Sequence, residues 1–201
     1  MKSTLLLLAI FSAFGFALGS AYSAENLLAN GDLETGSADP WATYGQAEIV
    51  IETDDMVDGQ YALRVTVNEQ GANFWDSGLQ HDPGNHVFEQ GKLYTLSAFL
   101  KSPDGLGINF KPELGQDPWT GYGEAQFTMT EDWEEYHITT PAMTENVSPA
   151  TITFHIAFAA GTFLIDDVQF YEGEYVPTVI TPVEPKAKLT TTWAAIKKGD
   201  D

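Results

Sequence analysis

Between Gln46 and Tyr171 apolar residues recur at every second position, in one short run after another. In Q-A-E-I-V-I-E-T (46–53), Ala47, Ile49 and Ile51 share a face. In Y-A-L-R-V-T-V (61–67), Leu63, Val65 and Val67 oppose Ala62, Arg64 and Thr66. The alternation continues through K-L-Y-T-L-S-A-F-L-K-S (92–102), I-N-F-K-P-E-L (108–114), E-A-Q-F-T-M-T (124–130) and W-E-E-Y-H-I-T-T (133–140). It ends with T-I-T-F-H-I-A-F (151–158) and T-F-L-I-D-D-V-Q-F-Y (162–171). Successive side chains of an extended chain point to opposite faces, so each run makes a strand with one buried face. Clusters of Gly, Pro, Asn and Asp separate the runs. No amphipathic helix pattern of useful length precedes residue 185. The expected class is therefore all-β, an antiparallel β-sandwich or jelly roll.

The two ends read differently. Met1-Lys2, the apolar run Leu5 to Leu18 and the small residues Gly19 to Ala24 follow the order of a secretory signal peptide. Cleavage is expected near Ala24, giving a signal peptide over 1–23 and a secreted protein. The chain has no cysteine, which excludes a lipid-modified N-terminal cysteine and a disulfide framework. One domain over 24–173 is long enough to hold itself by its own core. V-P-T-V-I-T-P-V-E-P-K-A-K lies within a Pro-rich linker assigned to 174–188, and 189–201 forms a short tail with the makings of a helical turn. Nine Lys and Arg stand against 29 Asp and Glu, a formal charge of −20. Such a field repels polyanions, which argues against nucleic acid, anionic membranes and highly acidic polysaccharides. A neutral ligand or a cation suits it better.

One loop breaks the rule that loops are small and polar. G-Q-D-P-W-T-G-Y-G (115–123) sets Trp119 and Tyr122 among glycines and a proline. An aromatic side chain of some 150–250 Å² left in water forgoes roughly 4–6 kcal/mol of burial. Several rings exposed together mark a binding surface.

Five segments, in order, resemble carbohydrate-binding modules of families four, nine and twenty-two. They are N-L-L-A-N-G-D-L-E-T-G (26–36), D-G-Q-Y-A-L-R-V (58–65), G-K-L-Y-T-L-S-A-F-L-K-S (91–102), E-D-W-E-E-Y (131–136) and F-L-I-D-D-V-Q-F-Y (163–171). The resemblance implies a galactose-binding-domain-like jelly roll with a concave cleft for a glycan and a structural calcium. Sugar rings offer flat C–H faces and hydroxyl edges, which aromatic rings and polar side chains respectively meet. Trp119 and Tyr122 are the first stacking candidates, and Trp75 joins them because family members often carry a stacking aromatic there. Trp133 and Trp41 are expected to be structural. Alternation in 151–158 turns Thr151, Thr153 and His155 away from the core, so His155 looks into the cleft. Gln80, Asn109, Lys111 and Glu113 follow on the same reasoning. The calcium positions carried over from the family are Glu34, Asp58, Asp166 and Asp167, with Asp32 beside them; six to eight oxygens are what calcium takes.

Two rivals come from other classes. Jelly rolls host glycosidases and polysaccharide lyases, for which Glu113, Asp117 and Glu124 lie near the aromatic loop. Against catalysis, Arg64 is the single arginine, and neither G-x-S-x-G nor H-E-x-x-H occurs. The other rival is a surface β-sandwich that binds a protein through the same rings. The expected function is non-catalytic binding of a neutral poly- or oligosaccharide by a monomer.

Overall fold

The computed structural model describes residues 25–180; the signal-peptide reading and the tail lie outside them. Among the described residues there is no helix. Ten antiparallel strands build two five-stranded sheets packed face to face. The first sheet contains β1 (Trp41–Tyr44), β4 (Gly78–Phe88), β9 (Val147–His155), β6 (Gly107–Leu114) and β7 (Ala125–Thr128), in that spatial order. The second contains β2 (Ala47–Glu52), β3 (Ala62–Val67), β10 (Gly161–Glu172), β5 (Tyr94–Lys101) and β8 (Glu134–Thr139). Together they form the β-sandwich that the alternation requires.

Each alternating run became a strand, and its apolar face became the core. Leu63, Val65 and Val67 of β3 meet Ile108 and Phe110 of β6 and Ile152 and Phe154 of β9 in one buried cluster. Aromatic contacts lock it: Phe110 meets Phe154 edge-on at 4.7 Å, and Tyr94 stacks on Phe170 at 5.1 Å. Trp41 is buried and donates its indole N–H to Asn30 O at 3.1 Å. Trp133 donates to Asp55 Oδ1 at 2.8 Å. Both therefore hold structure.

Alternation did not announce two strands. β1 is short, and β4 is broken in its middle by D-P-G-N, where Asp82 and Gly84 take positive φ and the pairing with β9 shifts register between His81 and His86. The segment 26–36 forms turns rather than a strand, anchored by Leu27 N–H to Phe170 O at 2.7 Å.

The two sheets differ on their outer sides. That of the second sheet is covered: Lys101 pairs with Asp55 at 2.7 Å, and Tyr175 lies flat on His137 with ring centres 3.4 Å apart. Thr178 hydroxyl and amide bond to Glu135 at 2.8 and 3.1 Å, so the start of the Pro-rich segment is packed on this sheet. The outer side of the first sheet holds a cavity.

Candidate functional site

The floor of that cavity is built by register. On β6, Asn109, Lys111 and Glu113 stand opposite His155, Thr153 and Thr151 of β9, while Ile108, Phe110 and Pro112 turn the other way. Across β9, Gly78 and Gln80 of β4 continue the same rows. Tyr44 of β1 lies opposite Gly78, and a Cβ at Gly78 would come within 2.3 Å of its ring. Glycine there is what lets the phenol lie across the strand. Tyr44 donates its hydroxyl to Trp75 O at 3.2 Å.

Loops at opposite ends of these strands raise two walls. At the His155 end, Phe74 stacks on Phe158 at 5.1 Å and meets Trp75 edge-on at 4.7 Å. At the Glu113 end, the turn Gln116–Trp119 is closed by Trp119 N–H to Gln116 O at 2.7 Å and sets Trp119 at φ 57°. A bulky residue in the left-handed region is uncommon and costs of order 1 kcal/mol or more. Trp75 and Trp119 are 51% and 48% exposed. The cavity between them measures about 670 Å³, within the usual range of ligand sites. Tyr44, Gln80, Lys111, Glu113, Glu124 and His155 line it together with Phe74, Pro118 and the two tryptophans.

The polar floor is incompletely bonded. Asn109 Oδ1, Glu113 Oε2 and His155 Nδ1 are buried without hydrogen-bond partners. Asn109 Nδ2 donates to Glu124 Oε1 at 3.1 Å, which fixes the orientation of the amide. Lys111 Nζ sits 3.0 Å from Glu113 Oε2 as an ion pair outside hydrogen-bond geometry. Burial, then the Lys111 charge, pushes the His155 imidazole down to about 4, so it is neutral at neutral pH. Burial, with Glu113 and Asp76 nearby, raises the Tyr44 hydroxyl, which stays protonated.

The structure thus brings Trp75, Gln80, Lys111, Glu113, Trp119 and His155 to one cavity, with Asn109 beside them in the floor. Tyr122 is elsewhere, packed on the core edge against Phe88 at 6.1 Å. The reason is parity. Gly121 bridges Glu113, and Tyr122 N–H bonds to Pro112 O at 2.8 Å, so residues 120–122 extend along the edge of β6. Successive residues of an extended stretch face opposite ways, and Trp119 stands in the turn before it. Trp119 and Gly121 share the cavity side with Glu113, and Tyr122 shares the core side with Pro112.

The acidic positions assigned to calcium are engaged otherwise. Glu34 accepts the amides of Gln60 and Tyr61 at 2.9 and 3.0 Å, over Gly59, where a Cβ would fall 2.2 Å from the carboxyl carbon. Asp166 accepts Val57 N–H at 2.9 Å and Asp167 N–H at 2.8 Å. Asp58 accepts Gly59 N–H, Asp167 accepts the Gln169 side chain, and Asp32 accepts Glu34 N–H. No three His, Cys, Asp or Glu side chains among the described residues converge as a metal-holding group. These amide contacts use part of each carboxylate's acceptor capacity, and burial followed by the neighbouring charges of Glu135, Asp58 and Asp32 raises Asp167 above the usual carboxylate range.

A family model described as a carbohydrate-binding domain matches residues 25–160, more than half of the chain. The chain belongs to this carbohydrate-binding domain family. Solved structures agree on the fold. A family-four carbohydrate-binding module is 22% identical, with a TM-score of 0.54 over 73% of this chain and 99% of its own. The xylan-binding CBM22-1 domain of Paenibacillus barcinonensis Xyn10C is 14% identical, with a TM-score of 0.58 over 78% of this chain and all of its own. A family-61 module, solved with β-1,4-galactotriose, is 20% identical, with a TM-score of 0.54 over 75% of this chain and 100% of its own. These likenesses establish the jelly roll. A search of curated protein sequences finds no match. Within the family frame, Tyr44, Phe74, Pro118 and Glu124 are the cavity residues that sequence reasoning did not assign to binding. Tyr44 carried a usable signal, since a tyrosine two residues after a turn-side alanine in W-A-T-Y shares the face of Ala42, opposite Trp41.

Proposed function

We propose that the cleft between Trp75 and Trp119 binds a neutral poly- or oligosaccharide, glucan- or xylan-like, and that the protein is a secreted, non-catalytic binding module. The observation that carries this reading is the cleft itself: two half-exposed indoles stand over a polar floor in which His155 Nδ1 is buried without a partner and Lys111 pairs with Glu113 at 3.0 Å. A buried polar group without a hydrogen bond costs about 1–3 kcal/mol, and a ligand hydroxyl removes that cost. The indoles offer apolar faces that a sugar ring dries. Trp75, Trp119 and Tyr44 supply stacking surface; Gln80, Asn109, Lys111, Glu113, Glu124 and His155 supply polar contacts.

One observation favours a second reading: Glu113 and Glu124 both line the cavity, and paired carboxylates are what a glycosidase uses. A single experiment separates the two. The protein is incubated with soluble xylan, mixed-linkage glucan and galactan, and retention and new chain ends are measured. Retention without new ends supports the module. New reducing or unsaturated ends move Glu113 and Glu124 into catalysis. Failure to retain any glycan removes the proposal.

A further inference from the structure

Thr95 of β5 and Tyr171 of β10 stand opposite one another in register, beside Leu96 and Phe170, which face the core. Alternation turns Thr95 and Tyr171 to the outer side of the second sheet, yet both are buried. An antiparallel sheet packed on one face commonly leaves the other to water. Here residues 173–178 cover it. Gly173 turns the chain at φ 123° with nothing near its Cβ position, so the backbone angle and not crowding demands glycine. The turn is pinned twice: Gly173 N–H donates to Leu93 O at 3.0 Å, and the Thr95 hydroxyl donates to Gly173 O at 2.8 Å. Beyond it one carboxylate gathers the chain. Glu135 of β8 accepts the Tyr175 hydroxyl at 2.7 Å, the Thr178 amide at 3.1 Å and the Thr178 hydroxyl at 2.8 Å. Val176 N–H donates to the Tyr171 hydroxyl at 2.9 Å, and the Tyr175 ring lies on His137. Pro177 has no N–H that would need a partner.

We propose that residues 173–178 are a clasp rather than the start of a free linker, and that the clasp fixes where the rest of the chain leaves the domain. The exit lies on the outer side of the second sheet, and the cavity opens on the outer side of the first. Anything carried by the residues after 180 is thereby held on the face opposite the cleft, and the cleft stays open while that end is occupied. A free tether would let the domain turn in any direction about its attachment. The clasp depends on Glu135 and on the side chains of Tyr175 and Thr178, and it holds whatever the cleft binds.

The chain has no cysteine, so Val50→Cys together with Val179→Cys creates two labelling sites and no others. Both valines are exposed, and neither side chain takes part in the clasp. The distance between spin labels at these positions is measured on the full chain by pulsed electron resonance, and exchange of the Thr178 amide by nuclear magnetic resonance. The parent double-cysteine chain is expected to give one narrow distance. Its Thr178 amide should exchange at least about 10-fold more slowly than in an unstructured peptide, the factor that one hydrogen bond to a carboxylate supplies. Glu135→Ala should abolish that protection and broaden the distance distribution at least roughly 2-fold as the segment becomes a tether. Thr178→Val, which lies outside both sheets and leaves the sandwich intact, should move both readouts in the same direction by less. A broad distance in the parent chain, or an unprotected Thr178 amide, overturns the proposal. So does a distance that stays equally narrow in both variants.

Discussion

Trp119 and Tyr122 share a loop and three residues of separation, and they have opposite fates. Trp119 leans over the cavity, half exposed, while Tyr122 rests on Phe88. Removing each ring should therefore cost different things. Trp119→Ala is expected to weaken glycan retention at least 10-fold, in the range by which stacked rings at binding hot spots act, and to leave the melting temperature within about a degree. Tyr122→Ala should do the reverse, lowering stability by about 1–3 kcal/mol as a partly buried aromatic truncated at a core edge, with retention preserved. Affinity electrophoresis and thermal denaturation of both variants check this, and a crossed result would exchange the two assignments. Gly78 makes a sharper case, since its Cβ would strike the Tyr44 ring at 2.3 Å. Gly78→Ala should displace that phenol from the cavity and cut retention, although no group that touches sugar has been removed.

Strands were legible where alternation was unbroken, and β6 and β9 show why that carried over to the site. Once Ile152 and Phe154 are assigned inward, Thr151, Thr153 and His155 must point outward, and register then aligns them with Asn109, Lys111 and Glu113. What the sequence concealed is instructive. β4 breaks its own pattern with D-P-G-N, and the bend it makes closes on a pair of histidines: His81 Nδ1 lies 2.8 Å from His86 Nε2, and His81 Nε2 is 2.8 Å from Ala29 O. A carbonyl can only accept, so His81 donates from Nε2 and His86 donates to it. Trp41 covers the pair edge-on at 4.8 Å, and Asp82 is the nearby charge. Burial pushes both imidazoles below their usual range, with Asp82 opposing. The unfolded chain takes up protons near pH 6.5, while the folded pair resists until lower pH, so stability should fall as pH drops below 6.5. Asp166, pushed up to about 7 mainly by burial against its amide donors, bends the profile the other way. The imidazole part is isolated by comparing the native chain with His86→Gln, which keeps a donor for His81 Nδ1. The variant is expected to lose less melting temperature between pH 7 and pH 5; parallel curves would remove the histidines from the acid response.

The protein as a whole carries −20, and this charge bears on both ligand and metal. Self-repulsion of a folded acidic surface is screened by salt, so stability should rise with ionic strength up to about 0.15 M, where the screening length is ~8 Å. Any divalent cation adds to that effect, and a calcium-induced rise is therefore not by itself a site. The family resemblance asks for calcium at Glu34, Asp58, Asp166 and Asp167; in the structure Glu34 and Asp166 accept three backbone amides of the 57–61 loop, those of Val57, Gln60 and Tyr61, and Asp166 also accepts that of Asp167. A specific site at 1,000 times its dissociation constant stabilises by about 4 kcal/mol, which in a domain of this size is a shift of several degrees. If the amides alone hold these carboxylates, the melting temperature differs by less than a degree between chelator, calcium and magnesium at matched ionic strength. A rise of several degrees with calcium alone, lost in Asp166→Ala, would mean that the carboxylates leave the amides for a cation. The 57–61 loop would then be held by a metal rather than by hydrogen bonds.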